Sequence, residues 1–250
     1  MKRLRWALAL ATAMLAAAGS AAELAVFAAA SLSDALGEIA PAFTAATGHT
    51  VRFNFGGSGA LVRQILEGAP ADVIFSADES RVSRLEQAGL LLPGTRRSLL
   101  ANTLVVVVPA ERAVPIGRLG DLARADVRRI AIGEPATVPA GAYAKDYLQA
   151  TGLWTALAAK LVPMDTVRAA LAAVESGNAE AGFVYKTDAL ISRNVKVAIE
   201  IPQAGGPRIT YPAAALRGTR QPEAARAFVE FLAGTAAQKV FAKFGFLPPN

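Results

Sequence analysis

Cysteine is absent from all 250 residues. That excludes a disulfide, a thiolate metal site, a cysteine nucleophile and a lipid anchor on a cysteine. One histidine is present, His49, in Thr-Gly-His-Thr. With no other His, Cys or acid cluster beside it, it reads as a solvated turn residue and not as a metal ligand. No stretch reaches the ~20 apolar residues that a membrane span needs. Neither nucleotide loop occurs: there is no G-x-G-x-x-G, and no G-x-x-x-x-G-K followed by Ser or Thr. No serine sits in G-x-S-x-G, which removes that form of activated nucleophile. Internal repeats, low-complexity tracts and linkers are missing as well.

Charge of either sign is also scarce. The 26 basic and 20 acidic residues leave +6, and part of that excess belongs to the first residues. Lys2, Arg3 and Arg5 precede an apolar run from Trp6 to Ala18, and Gly19-Ser20-Ala21-Ala22 follows. A basic start, a short apolar middle and small residues before a cut are the marks of a secretory signal peptide, here residues 1–22. Without it, 23 basic residues face 20 acidic ones, a charge of +3. So small a charge, with no basic run carrying aromatics, gives no sign of nucleic-acid binding. The expectation is a soluble exported protein, most simply periplasmic.

What is present is a series of strands that run directly into helix starts. Val26-Phe27-Ala28-Ala29-Ala30-Ser31 is an apolar strand ending in small residues. Leu32, Ala35, Leu36, Ile39 and Phe43 then recur at helical spacing. Ser31, with Asp34 three positions on, has the form of a capping box. As a ligand site, the same turn offers first-turn amides that have no partner inside the helix and carry the positive end of its dipole.

Thr50 to Phe55 alternates like a strand and enters Gly56-Gly57-Ser58-Gly59, with Ala60, Leu61, Ile65 and Leu66 at helical spacing beyond. Asp72 to Ser76 is a short buried strand, followed by a helix from Asp78 to Ala88. Asp72 and Asp78 flank it as turn or cap residues, not as an acid–base pair. Leu99 to Val108 is continuous enough to be buried on both faces and reads as a crossover strand. Arg128 to Gly133 is a strand, and Val138-Pro139-Ala140-Gly141 opens a helix with Pro139 in its first turn. Asp165 or Thr166 can cap the helix that starts at Val167, leaving the Val167 amide free. Ala181 to Tyr185 is a strand ending in a phenol, and Arg208 to Leu216 is a second crossover. Helices from Glu223 to Ala233 and from Ala236 to Phe244 close the chain.

Alternating strands and helices define the α/β class with mainly parallel sheets. Two sheets joined by two crossover strands make two lobes with a cleft and a hinge. The expected division is 23–101 plus 214–250 for the first lobe and 102–213 for the second. Ligands of open α/β sheets sit beyond the carboxyl ends of the strands, where Ser31, Ser58, Ala140 and Val167 all lie.

Five motifs resemble the periplasmic molybdate-binding proteins of ABC transporters. They are Val26-Phe-Ala-Ala-Ala-Ser-Leu, Phe55-Gly-Gly-Ser-Gly-Ala-Leu, Ala71-Asp-Val-Ile-Phe-Ser-Ala-Asp, Val138-Pro-Ala-Gly-Ala-Tyr-Ala-Lys and Gly182-Phe-Val-Tyr. The likeness spans essentially the whole chain after the leader. It implies a two-lobe, type II-like periplasmic binding fold and a carrier that passes molybdate, and tungstate too, to a membrane permease. It also implies a monomer with no cofactor and no catalytic residues. Carried over by motif, the oxyanion contacts would be the Ser31 and Ser58 hydroxyls, the Ala140 and Val167 amides, and the Tyr185 hydroxyl. Two positions depart from the family pattern: serine is common where Gly57 stands, and Asp or Asn where Thr166 stands. Lys145 and Arg168, about one turn inside two of these helices, would add attraction at longer range.

Molybdate at neutral pH is a dianion with no proton to donate, so its ideal site presents donors and no carboxylate. Asp34 would repel it if it faced the ion. A sulfate or other tetrahedral oxyanion carrier is the neighbouring alternative, distinguished by cavity size. An exported two-lobe enzyme would need a nucleophile or a paired acid and base. The sensing domain of a regulator would need a DNA-binding helix pair.

Overall fold

The computed structural model describes residues 21–111 and 113–249. The expected leader therefore lies outside the described residues, apart from Ala21 and Ala22. The strands are β1 (Glu23–Ala29), β2 (Thr50–Gly56), β3 (Val73–Phe75), β4 (Arg97–Asn102), β5 (Leu104–Pro109), β6 (Ile130–Gly133), β7 (Leu161–Met164), β8 (Ala181–Tyr185), β9 (Val195–Glu200) and β10 (Ile209–Ala215). They form two five-stranded sheets, ordered β2-β1-β3-β10-β4 and β7-β6-β8-β5-β9. Both sheets follow one plan: three parallel strands, then a strand arriving from the other lobe, then an edge strand. The two-lobe α/β architecture expected from the sequence is the one observed.

Pairing is more mixed than expected. β1–β2 and β1–β3 are parallel, as are β6–β7 and β6–β8, while every ladder of β5 and β10 is antiparallel. The reason is topological. A parallel neighbour needs a crossover, usually helical, inside its own lobe, whereas β5 and β10 arrive directly from the other sheet.

The crossovers also differ in position from the reading above. Leu99–Val108 is two strands in two sheets, parted at Thr103, whose amide donates to its neighbour Asn102 Oδ1 at 2.8 Å. The return passage falls between Glu200 and Ile209, so the expected boundary at 213/214 lies inside β10 of the first sheet.

Alternation along the strands fills two cores in the first lobe. Leu24, Val26 and Ala28 of β1 point to one face, while Phe27 points to the other with Ile74 and Ala214, as the two-residue period of a strand requires. The first face is covered by α1 (Ser33–Thr47), the second by α2 (Ser58–Leu66) and α3 (Glu79–Gln87). Leu32, Ala35, Leu36, Ile39 and Phe43 are all buried, the face that the spacing predicts.

In the second lobe, α4 (Pro139–Ala150), α5 (Trp154–Leu157), α6 (Val167–Glu175) and the short α7 (Lys186–Ile191) surround the sheet. The chain ends in α8 (Pro222–Ala233) and α9 (Thr235–Lys243), which pack back on the first lobe. No helix among the described residues is long and apolar enough to cross a membrane.

The lobes touch across the cleft. Gly59 N donates to Thr137 O at 2.8 Å, and Tyr143 Oη donates to Ala77 O at 3.4 Å. A Cβ on Gly59 would stand 2.8 Å from Thr137 O and 2.9 Å from its Cα, so only glycine permits this approach.

Candidate functional site

All five positions expected from the sequence line one cavity between the lobes. Ser31, Ser58, Ala140, Val167 and Tyr185 share it with Ala29, Ala30, Gly56, Gly57, Ala77, Val138 and Pro139. Its volume is about 10 Å³. That is below the range of roughly 300–1,000 Å³ typical of organic-ligand pockets. No lining residue carries a carboxylate, an ammonium or a guanidinium.

Each wall comes from a strand end that runs into a helix. β1 ends at Ala29, and Ser31 sits in a 3₁₀ turn, Ala30–Leu32, ahead of α1. The expected Ser31–Asp34 capping box is not formed. α1 begins at Ser33 after Leu32, and no side chain caps it. Ser31 is 3% exposed, and its Oγ lies 3.2 Å from the Tyr211 hydroxyl. Ser58 opens α2, fully buried, and its Oγ accepts from Ala77 N at 3.0 Å. Since that bond occupies a lone pair, the Ser58 proton is left for the cavity.

α4 starts at Pro139, which makes Ala140 a first-turn residue with no carbonyl behind it inside the helix. The helix is seated against β6 at Gly141, where a Cβ would lie 1.8 Å from Gly133 O. Thr166, not Asp165, caps α6: its Oγ1 accepts from Ala169 N at 3.0 Å. The Val167 amide remains in the dipole-positive first turn. Tyr185 ends β8 and is 1% exposed, and its hydroxyl has no hydrogen-bond partner among the described residues. Burial holds that phenol well above its ordinary pKa, so it stays a protonated donor.

Asp34 and Arg168 are outside the cavity lining. Arg168 Nη2 lies 2.5 Å from Asp34 Oδ2 across the cleft, and its Nε lies 2.7 Å from Asp188 Oδ1 within its own lobe. The carboxylate that would have repelled an anion is thus paired with a guanidinium. Asp188, with no exposed side-chain surface, accepts from Tyr185 N at 3.2 Å. Lys145 lies with its Nζ 5.5 Å from the Trp154 ring centre. That contact belongs to a wider surface cleft on the second lobe, which also carries Glu134 and Asp146.

His49 Nδ1 accepts from Ala22 N at 3.1 Å, so this half-buried turn residue helps hold the start of β1. Asp78 caps α3 by accepting from Ser80 N. Asp72 accepts from Ala25 N and Thr219 Oγ1. Among the described residues no group of His, Cys, Asp and Glu could hold a metal ion.

Tyr211, Asn102, Thr187 and Asp188 escaped the sequence reading. Asn102 Nδ2 donates to the Tyr211 hydroxyl at 3.1 Å and to Thr187 Oγ1 at 2.9 Å. The one available signal was Asn102-Thr103 interrupting an otherwise apolar run. Asp188 and Thr187 lie on α7, too short to show a helical period.

A two-lobe α/β chain with a small, donor-lined, uncharged cavity between its lobes has the form of a solute-binding protein. The chain belongs to the bacterial extracellular solute-binding protein family, whose model matches residues 24–247. It is 40% identical over 224 residues to the putative ABC transporter substrate-binding lipoprotein YvgL of Bacillus subtilis, covering 89% of this chain and 85% of that one. It is 38% identical over 228 residues to the molybdate-binding protein ModA of Escherichia coli, covering 90% and 88%. The solved periplasmic molybdate-binding protein of Azotobacter vinelandii superposes with a TM-score of 0.82 at 29% identity, over 91% of this chain and all of that one. These relatives are solute-binding transport proteins, not enzymes.

Proposed function

We propose that this protein captures molybdate, and tungstate with it, outside the cytoplasm and delivers it to an ABC transporter permease. In this reading residues 1–22 are a cleaved signal peptide, and the mature chain works as a periplasmic monomer. The Ser31, Ser58 and Tyr185 hydroxyls and the Ala140 and Val167 amides hold the ion. The observation that carries the reading is the Tyr185 hydroxyl, buried, protonated and without a hydrogen-bond partner among the described residues, at the wall of an uncharged cavity. A buried polar group left unpaired costs about 1–3 kcal/mol, and an oxyanion oxygen supplies the missing acceptor.

The donor set suits a dianion with no proton of its own. Hydrogen phosphate would need an acceptor, and the cavity lining carries no carboxylate to act as one. Two helix N-termini from the second lobe and two turns from the first supply positive potential without a touching cation. Because donors come from both lobes, the ion bridges them and stabilises the closed form.

Thermal unfolding of the mature protein with molybdate, tungstate, sulfate and phosphate tests the reading. A ligand at a hundred times its Kd adds about 2.7 kcal/mol to stability. A large upward shift in Tm is expected with molybdate and tungstate and little with the other two. Equal shifts with sulfate remove the molybdate assignment, and no shift with any of them removes the carrier reading.

A further inference from the structure

We propose that Asn102 and Tyr211, neither of which lines the cavity, are positioning residues that set the Ser31 hydroxyl as a donor to the bound ion. The inference rests on the oxyanion reading above and adds to it a relay from the hinge to one contact.

The chain of bonds has one consistent direction. Thr103 N donates to Asn102 Oδ1 at 2.8 Å, which fixes the amide orientation: with the amide flipped, two donors would face each other. Asn102 Nδ2 therefore donates to the Tyr211 hydroxyl at 3.1 Å and to Thr187 Oγ1 at 2.9 Å. The Tyr211 proton has only Ser31 Oγ, at 3.2 Å, left as an acceptor among the described residues. If Ser31 donated to Tyr211 instead, Tyr211 would accept twice and leave its own proton unpaired at a site with no exposure. Buried groups are rarely left so. Tyr211 therefore donates to Ser31 Oγ, and the single Ser31 proton is free for the cavity. Ser58 reaches the same state through Ala77 N.

The relay begins at the crossing between the two sheets. Asn102 closes β4 and Thr103 separates it from β5, while Tyr211 lies on β10, the strand that the return passage enters. Residues of the hinge thus hold a ligand donor in orientation, and the Tyr211 ring packs edge-on against Tyr185, with centroids 5.8 Å apart.

The test is a double-mutant cycle on molybdate affinity by isothermal titration at pH 8, using Asn102→Asp, Tyr211→Phe and both together. A carboxylate at 102 can only accept, so Tyr211 turns its proton to it, and its freed lone pair draws the Ser31 proton away from the cavity. Asn102→Asp should then weaken binding about ten- to hundredfold, the loss also expected of Ser31→Ala. Tyr211→Phe frees the Ser31 rotor and should cost about two- to fivefold. In the double variant no hydroxyl remains to draw the Ser31 proton away, so affinity should return to within about threefold of Tyr211→Phe alone. A loss in the double variant as large as in Asn102→Asp would mean that charge or damage causes it, and would overturn the relay.

Should Asn102→Asp fail to fold, Tyr211→Phe decides by specificity. It releases a Ser31 lone pair, so the affinity ratio of molybdate to hydrogen phosphate should fall about fivefold or more. An unchanged ratio overturns the relay. Absence of molybdate binding by the unmodified protein is a different result, since it removes the carrier reading itself.

Discussion

Arg168 Nη2 and Asp34 Oδ2 stand 2.5 Å apart across the cleft, joining the first turn of α6 in one lobe to the first turn of α1 in the other. The same guanidinium holds Asp188 at 2.7 Å and lies 3.5 Å from the carbonyl of Ser31. One cation therefore links both lobes behind the cavity. Simple electrostatics says that removing a carboxylate near an anion tightens binding. Loss of a cross-cleft link says the reverse. Asp34 is 43% exposed, and pairs of that kind contribute about 0.2–1 kcal/mol. Asp34→Asn is expected to speed molybdate release about two- to fivefold in stopped-flow displacement. A slower release would show that repulsion dominates.

Tyr185→Phe separates ligand binding from folding. Its hydroxyl has no hydrogen-bond partner among the described residues to lose, so the ligand-free Tm should stay level or rise. Molybdate affinity should fall about ten- to hundredfold, since a hydrogen bond to a charged group contributes roughly 1.5–3 kcal/mol. Ser58→Ala also weakens binding, yet it removes the acceptor of Ala77 N and so lowers the ligand-free Tm as well. Calorimetric titration paired with thermal scans reads both quantities.

Gly59→Ala tests closure. The added Cβ meets backbone of Thr137 from the other lobe at 2.8 Å, a contact that only separation of the lobes relieves. The ligand-bound radius of gyration from small-angle X-ray scattering should stay near its ligand-free value, and affinity should drop about tenfold or more. A variant that closes and binds as before would show that the backbone yields locally.

Asp188 gives the fold a pH dependence. Burial pushes its carboxyl up to about 6 in spite of Arg168 and the Tyr185 amide, which favour the charged form. Below pH ~3 the group is largely protonated in both folded and unfolded chains. Between there and pH 6 the unfolded chain ionises first, so the stability this group contributes is lost as pH rises. Asp188→Asn removes that dependence. From pH 4 to pH 7 the unmodified protein should lose roughly 2 kcal/mol relative to the variant in urea denaturation. Parallel stability curves for the two would contradict the raised value.

Several elements were legible because their physics is local. The buried face of α1 follows from a 3.6-residue period, β8 from five buried residues ending in Tyr185, and α4 from Pro139 at its first position. The edge strands β7 and β9 were not legible. Their faces are mixed in exposure, and Pro163 lies within β7, a residue that edges tolerate. The capping-box reading of Ser31 failed for a related reason. Ser and Asp three apart do form capping boxes, but the cap geometry lost to a buried partner 180 residues away.

By itself the sequence determined which residue types meet the cavity: small residues at four strand-to-helix turns, two serines and one tyrosine, with no cysteine anywhere in the chain. These are short-range facts, written in spacing and composition, although charged residues such as Asp34 and Arg168 stand in the same first turns. Only the tertiary structure decided which way each hydroxyl points, that Asp34 faces Arg168, and that Asp188 lies buried behind Tyr185. Those outcomes depend on partners from distant strands and from the opposite lobe. A hydrogen bond's direction is set by every group around it at once, and no window of sequence contains them all.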